Sequence, residues 1–236
     1  MLKIGANAIK KVAVQKTLVI EPSKNVFVVG DLDGSLSGLL KALNRKGFVE
    51  HVDHLICLGD IIDRGSESIQ LIQYLLDINA DFLLGNHEHL MLESIISQDE
   101  TAMRLWTANG GAWHHDVDKT KLKSVCNHLL NSSLSLLLEY RGKKIGLSHT
   151  IPPSWNWSSS PENSEGTVES LLWSRELFKS QKQSSNIGIN FSIHGHNSTQ
   201  MPIWIGNTYH IDTNYYGRPT VVNLSNLIDE KENSKV

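Results

Sequence analysis

The stretch that decides the fold is Val26–Leu40, VFVVGDLDGSLSGLL. An apolar run, Val26–Val29, stops at Gly30-Asp31-Leu32-Asp33-Gly34-Ser35, and helical spacing then runs through SGLLKALNRKGF to a glycine, a common stop signal. A strand, a glycine-flanked turn carrying Asp31 and Asp33, and a helix follow one another. Carboxylates placed just past a strand point to metal or phosphate chemistry.

The same grammar recurs downstream. HLICL is a short buried strand ending in Gly59-Asp60-Ile61-Ile62-Asp63-Arg64-Gly65. SESIQLIQYLLDIN has its apolar residues Ile69, Ile72, Leu75 and Leu76 on one helical face. ADFLL ends in Gly85-Asn86-His87-Glu88, and the helix EHLMLESIIS follows. The first half therefore reads β-α-β-α-β-α, an α/β pattern. Farther on, LWTANGGAWHHDV reads as a structured loop and SVCNHLLNSSLSLLLEY as a helix running into a strand. KKIGL ends in Ser148-His149, and INFSI ends in His194-Gly195-His196-Asn197. IPPSWNWSSSPENSEGT is a surface loop by composition, where Trp155 and Trp157 are candidates to touch a substrate. VESLLWSRELFKS is expected as one helix, MPIWIGNTYHID and PTVVNLS as one strand each, and the terminal DEKENSKV as a frayed tail.

Composition bounds the function. The 236 residues, 40% hydrophobic and 20% charged, describe an ordinary globular chain, read as one domain over 1–236 with a core of about 25–225 and a polar tail over 226–236. A net charge of −3 without a basic block argues against nucleic-acid binding. No apolar run is long enough to span a membrane, and the N-terminus lacks a signal-peptide pattern. Two cysteines, Cys57 and Cys126, are too few for a disulfide framework, so a reducing setting is expected. The sequence does not fix the oligomeric state, and a monomer is favoured.

Open α/β sheets bind ligands beyond the carboxyl ends of their strands. Asp, Asn and His are delivered there by successive strands. Their oxygens and nitrogens suit Mn, Fe or Zn. Two such ions about 3.5–4 Å apart can clamp both oxygens of an in-line phosphoryl displacement. Asp60, in the middle of the set, is the candidate for a shared carboxylate.

Taken alone, DLDG also fits the HAD phosphatases, whose first Asp is a nucleophile. That reading lacks the later acidic pair and leaves Asn86, His87, His149 and His196 without a role. An EF-hand loop starting at Asp31 would need Gly and Glu where Leu36 and Ala42 stand. A third reading makes Asp33-Gly34 a turn only.

GDLDG, GDIIDRG, GNHE, LSHT and HGHN, in that order, resemble the calcineurin-like metallophosphoesterases, specifically the PPP family of Ser/Thr protein phosphatases. LWTANGGAW, LLWSRE and YHIDTN resemble its small phage and bacterial branch. DRG and GNHE argue against the related dinucleoside tetraphosphate hydrolases, which lack that Asp and carry GNHD. The resemblance implies two mixed β-sheets packed as a sandwich flanked by helices. It implies Asp31, Asp33 and Asp60 as ligands of one divalent ion and Asp60, Asn86, His149 and His196 as ligands of a second, with Mn favoured and Fe, Zn or Mg possible. It implies His87 as general acid, Asp63 as the residue that orients it, and Arg64 and Arg175, with Asn86, as the phosphate-binding groups. The substrate would be a phosphorylated protein or a small phosphoester, and a cytoplasmic setting follows from the resemblance alone. Four positions depart from the family pattern: Asp33 stands for His, Thr150 for Ala, Asn197 for Thr and Asn214 for Gly. Asp33 raises a second hypothesis, a phosphopeptide-binding protein that has lost its first metal.

Overall fold

The computed structural model describes residues 4–159, 161–182, 185–214 and 218–233. A short 3₁₀ turn leads into β1 (Ala13–Val19), and β2 (Val26–Val29), α1 (Leu36–Lys46), β3 (His54–Cys57), α2 (Ser68–Asp77), β4 (Asp81–Phe82) and α3 (Asn86–Ile95) follow. Then come α4 (Glu100–Ala108), α5 (Lys119–Leu129), β5 (Ser133–Tyr140), β6 (Lys143–Ser148), β7 (Ser154–Asn156), α6 (Glu165–Val168) and α7 (Glu176–Ser180). The chain closes with β8 (Ser185–Ile187), β9 (Phe191–His194), β10 (Ile203–Ile205), β11 (Thr208–His210), β12 (Val221–Asn223) and α8 (Leu224–Asn233).

One sheet runs β12-β2-β3-β4 and the other β1-β5-β6-β9-β11-β10, both of mixed direction. Strand alternation sorts the side chains of the smaller sheet. Val26, Val28, Ile56 and Leu58 face Leu136, Leu138, Ile145, Leu147 and Ile193 of the larger sheet. Phe27, Val29, Leu55 and Cys57 face the other way, onto Leu39 and Leu43 of α1, Leu71, Ile72 and Leu75 of α2, and Met91 of α3. Each large side chain so buried contributes about 1.5–3 kcal/mol. On the outer face of the larger sheet, Ile151, Trp157 and Leu177 pack with Ile205 of β10. The result is the expected helix–sheet–sheet–helix sandwich.

The helix ends explain where the chain turns. Ser35 caps α1 by accepting from Gly38 N at 3.2 Å, and Gly47 closes it in the left-handed conformation (φ 72°). Asp99 and Asp118 cap α4 and α5 in the same way as Ser35.

Several elements differ from the sequence reading. MPIWIGNTYHID is a hairpin, β10 to β11, because Gly206 turns the chain with φ 61°. VESLLWSRELFKS is two pieces: α6 continues as a π-helical turn to Trp173, the chain breaks at Ser174-Arg175, and α7 begins at Glu176. LWTANGGAWHHDV begins as the end of α4 and ends in a 3₁₀ turn, Gly111–Asp116. The tail is not frayed through its length: α8 runs to Asn233 because Leu227 and Ile228 pack into the core between the sheets. Its last residues, 234–236, lie outside the described residues. Trp157 is fully buried beneath Gly146 and donates to Asn186 Oδ1, so it packs rather than touching a substrate. No helix among the described residues is long and apolar enough to cross a membrane.

Candidate active site

β2, β3 and β4 are mutually parallel in one sheet, and β6, β9 and β11 are parallel in the other. The loops at their carboxyl ends meet. Leu32 N and Asp33 N donate to Asp60 O at 2.9 and 3.0 Å, and Gly195 N donates to His149 O at 2.9 Å. Glycines allow the approach: a Cβ at Gly85 would stand 2.2 Å from Asp60 Oδ1, and one at Gly195 would stand 2.2 Å from Asp31 Oδ1. Asp33, Asp60, Asp63, Arg64 and His196 all take positive φ, between 47° and 77°. Each such residue costs roughly 1–3 kcal/mol, which the surrounding fold must supply.

Asp60, His149 and His196 bring one ligand atom each within 4.8 Å of one another, all buried. His149 Nδ1 donates to Leu58 O at 3.0 Å; the neutral ring therefore has a bare Nε2, and although burial acts to lower this ring, Asp60 prevails and favours a positive charge at that atom. That bare nitrogen faces Asn86 Oδ1 at 3.1 Å, Asp60 Oδ1 at 3.4 Å and His196 Nδ1 at 3.1 Å. With that ring neutral, only His196 Nδ1 can offer a proton there, and its own Nε2 is buried without a partner. Lone pairs facing lone pairs inside a protein are costly unless a cation lies among them. One carboxylate, one amide oxygen and two imidazoles fit a divalent transition ion.

Asp31 lies beside this cluster. Its Oδ1 accepts from His196 N at 2.9 Å. Burial and the nearby carboxylates of Asp212 and Asp60 push it well above the usual carboxylate range. For Asp60, burial acts upward, but the His149 and His87 rings outweigh it and hold the group well below that range. Asp33 is turned elsewhere. Its Oδ1 takes Arg64 Nη1 at 2.5 Å, and its Oδ2 takes Asn214 Nδ2 at 3.0 Å.

His87 opens α3. Its Nδ1 meets Asp63 Oδ2 at 2.6 Å and its Nε2 meets Arg64 Nη2 at 2.9 Å. Asp63 is fully buried and also accepts indole N–H groups from Trp106 (2.9 and 3.0 Å) and Trp113 (2.7 Å). Burial acts to lower His87, but the carboxylates of Asp60 and Asp63 prevail and raise it to about 9. The Arg64 contact requires an unprotonated Nε2, so Arg64 and a proton compete for that atom. Arg175, at the break before α7, donates to His196 O and Asn197 Oδ1, both at 3.2 Å.

The structure thus gathers Asp31, Asp60, Asn86, His149 and His196, and sets Asp63, His87 and Arg64 in a line beside them. Arg175 stands on the His196 side. His194, two residues before His196 and at the end of β9, points away and is satisfied by Ser148 Oγ (3.0 Å) and Ser192 Oγ (2.7 Å) inside the larger sheet. His210 shares that layer and bonds Thr208. His114 stacks on Trp106 at 4.7 Å.

Sequence reasoning missed four contributors. Glu88 accepts from Gly85, Asp60, Ile61 and Ile62 N at 2.8–3.2 Å and so ties two of the strand-end loops together. Burial and Asp60 push its carboxyl up to about 7. Trp106 and Trp113 hold Asp63, and Asp212 stands over Asp31. GNHE contained Glu88, but nothing local in the sequence announces that its partners lie 28 residues upstream.

Compared with known proteins, residues 24–221 match the calcineurin-like phosphoesterase family model. Serine/threonine-protein phosphatase 2 of Salmonella typhimurium is 29% identical over 197 residues, covering 80% of this chain and 87% of the relative. A symmetrical bis(5'-nucleosyl)-tetraphosphatase of Photobacterium profundum is 30% identical over 151 residues, 58% of this chain and 48% of the relative. Among solved structures, a serine/threonine phosphatase of Saccharomyces cerevisiae superposes with a TM-score of 0.58 at 16% identity, covering 89% of this chain and 75% of that one. At that identity the likeness is one of fold.

Proposed function

This chain belongs to the calcineurin-like phosphoesterase family, and we propose that it is a metal-dependent phosphomonoester hydrolase acting on phosphoserine and phosphothreonine in proteins. The observation that carries this reading is the Asp63–His87–Arg64 line set beside the Asp60, Asn86, His149 and His196 cluster. Asp60, Asn86, His149 and His196 would hold one divalent ion, and Asp31 with Asp60 a second, Mn being favoured. When bound, such ions supply Lewis acidity and lower the pKa of a water nucleophile.

The remaining chemistry belongs to the chain. Arg64 and Arg175 grip the phosphate oxygens, where a planar guanidinium fork matches the anion. Asp63 fixes the His87 tautomer and ring plane. When a phosphate draws Arg64 off Nε2, that atom takes a proton and can deliver it to the departing alkoxide. No side chain is asked to carry the phosphoryl group, so the reaction is one displacement.

The tetraphosphatase relative favours a second reading, hydrolysis of dinucleoside polyphosphates. Asp63 and the GNHE form of the third motif favour the protein substrate. The experiment is a comparison of initial rates, with Mn-loaded protein, on a phosphoserine peptide and on diadenosine tetraphosphate. A kcat/KM at least tenfold higher on the peptide supports the first reading. The reverse order replaces it with the second. Loss of turnover on both, with peptide still bound, leaves the phosphopeptide-binding alternative.

A further inference from the structure

The four departures from the family pattern lie far apart in sequence, yet they meet as two pairs, each holding one arginine. Asn214 Nδ2 donates to Asp33 Oδ2 at 3.0 Å across 181 positions, and Asp33 Oδ1 takes Arg64 Nη1. Asn197 Nδ2 donates to Thr150 Oγ1 at 3.3 Å, and Asn197 Oδ1 takes Arg175 Nη1 at 3.2 Å. Thr150 is itself tied down, donating to Ser174 O at 2.7 Å beside the arginine.

The Asp33 pair carries the larger consequence. Both oxygens of this carboxylate are engaged, one by a cation and one by an amide. Arg64 lies between Asp33 and His87, with one terminal nitrogen on each. Its side chain is half-exposed, so an incoming anion can reach it. A carboxylate beside that guanidinium competes with any phosphate for it and repels the phosphate as well.

We propose that Asp33, fixed by Asn214, is a positioning residue for Arg64 rather than a metal ligand, and that an incoming phosphate takes Arg64 Nη1 in its place. Asp33 then makes phosphate binding weaker and release easier, while metal binding rests on Asp31, Asp60, Asn86, His149 and His196. The inference rests on the phosphatase reading for its substrate, but its test does not.

The test uses the full chain and Asp33→Asn, a near-isosteric change. Mn binding to metal-stripped protein is titrated by calorimetry, and inorganic phosphate binding is then titrated into the Mn-loaded protein. The expected result is an unchanged Mn stoichiometry and affinity, with phosphate bound about three- to tenfold more tightly, the scale of removing one like charge from a partly exposed anion site. That gain disappears when Arg64→Met is combined with Asp33→Asn. Asn214→Ala, which frees one carboxylate oxygen, moves phosphate affinity in the same direction by less. If Asp33→Asn loses a bound Mn or weakens it tenfold, Asp33 is a ligand and the proposal is wrong. If neither isotherm moves, Asp33 is a turn residue and the proposal is equally wrong. Failure of peptide turnover would overturn the phosphatase reading and leave both isotherms informative.

Discussion

On the side of the cleft built from the ends of β3, β4, β6 and β9, potential ligand atoms converge on one another. His149 Nε2, Asn86 Oδ1 and Asp60 Oδ1 crowd together, and His196 keeps a buried nitrogen without a partner. On the side built from the end of β2 and the loop after β11, Asp31 leans toward that cluster, accepting from His196 N, while the other acidic groups are answered by the protein's own donors. Asp33 is met by Arg64 and Asn214, and Asp212 by Ser198 Oγ at 2.6 Å and Asn214 N at 3.1 Å. The first side is shaped for a cation, and on the second Asp33 and Asp212 are satisfied without one. Residues of the same type, a few ångströms apart, therefore differ in what their loss would do.

The largest effect is expected on the first side. His149→Ala should weaken Mn binding there by more than about 100-fold, exceeding the usual cost of losing only an outer partner of a metal site. Turnover should fall to background; calorimetric titration with Mn checks it, and a retained tight isotherm would dissolve the contrast between the two sides. His87→Asn is next. It should lower kcat by about 10²–10⁴ with little change in Mn binding, because the ring gives a proton and holds no ion. A loss below tenfold in steady-state rates would remove His87 from the general-acid role.

Glu88→Gln tests whether the first side depends on its frame. One carboxylate oxygen becomes an amide group that cannot accept from the loop N–H donors. The expected cost is about 2–3 kcal/mol, seen in the urea midpoint, with Mn affinity down by about 10–100-fold. An unchanged midpoint would mean the strand ends hold their shape unaided. The smallest effect serves as a control away from the cleft. Burial raises the Cys57 thiol well above its ordinary range and the Cys126 thiol up to about 12. Neither is a thiolate near neutrality, so iodoacetamide should label neither in the folded protein and both in urea, as read by intact mass. Rapid native labelling would show that the core around α5 or β3 opens.

Much of the site was legible because its signals are local. An apolar run that ends in glycine and a polar residue marks a strand end, and α/β sheets place their chemistry at such ends. Asp31, Asp60, Asn86 and His149 all stand at such ends, and so do both His194 and His196, between which only the family resemblance chooses. The β2-α1-β3-α2-β4-α3 order was legible for the same reason, since each period is written within ten or so residues. What failed to read out were elements whose fate depends on distant packing. The residues of α8 look polar, yet Leu227 and Ile228 are claimed by the core. The expected helix over VESLLWSRELFKS breaks at Arg175, where that side chain is held against His196 and Asn197. Trp106 and Trp113 carried no mark that their indoles would serve Asp63.

The sequence by itself determined the inventory: which donor types exist, and which strand end delivers each. Tertiary structure decided who meets whom. Strand alternation alone would put His194 and His196 on one side. The strand ends at His194, and the left-handed backbone at His196 (φ 64°) turns its ring toward His149 while His194 stays in the sheet. Asp33 had the composition of a ligand, but a residue 181 positions away helps to set its direction. Side-chain type is a local property of the chain, whereas the direction in which a lone pair points is fixed by backbone conformation and by contacts that form only when the two sheets close on each other.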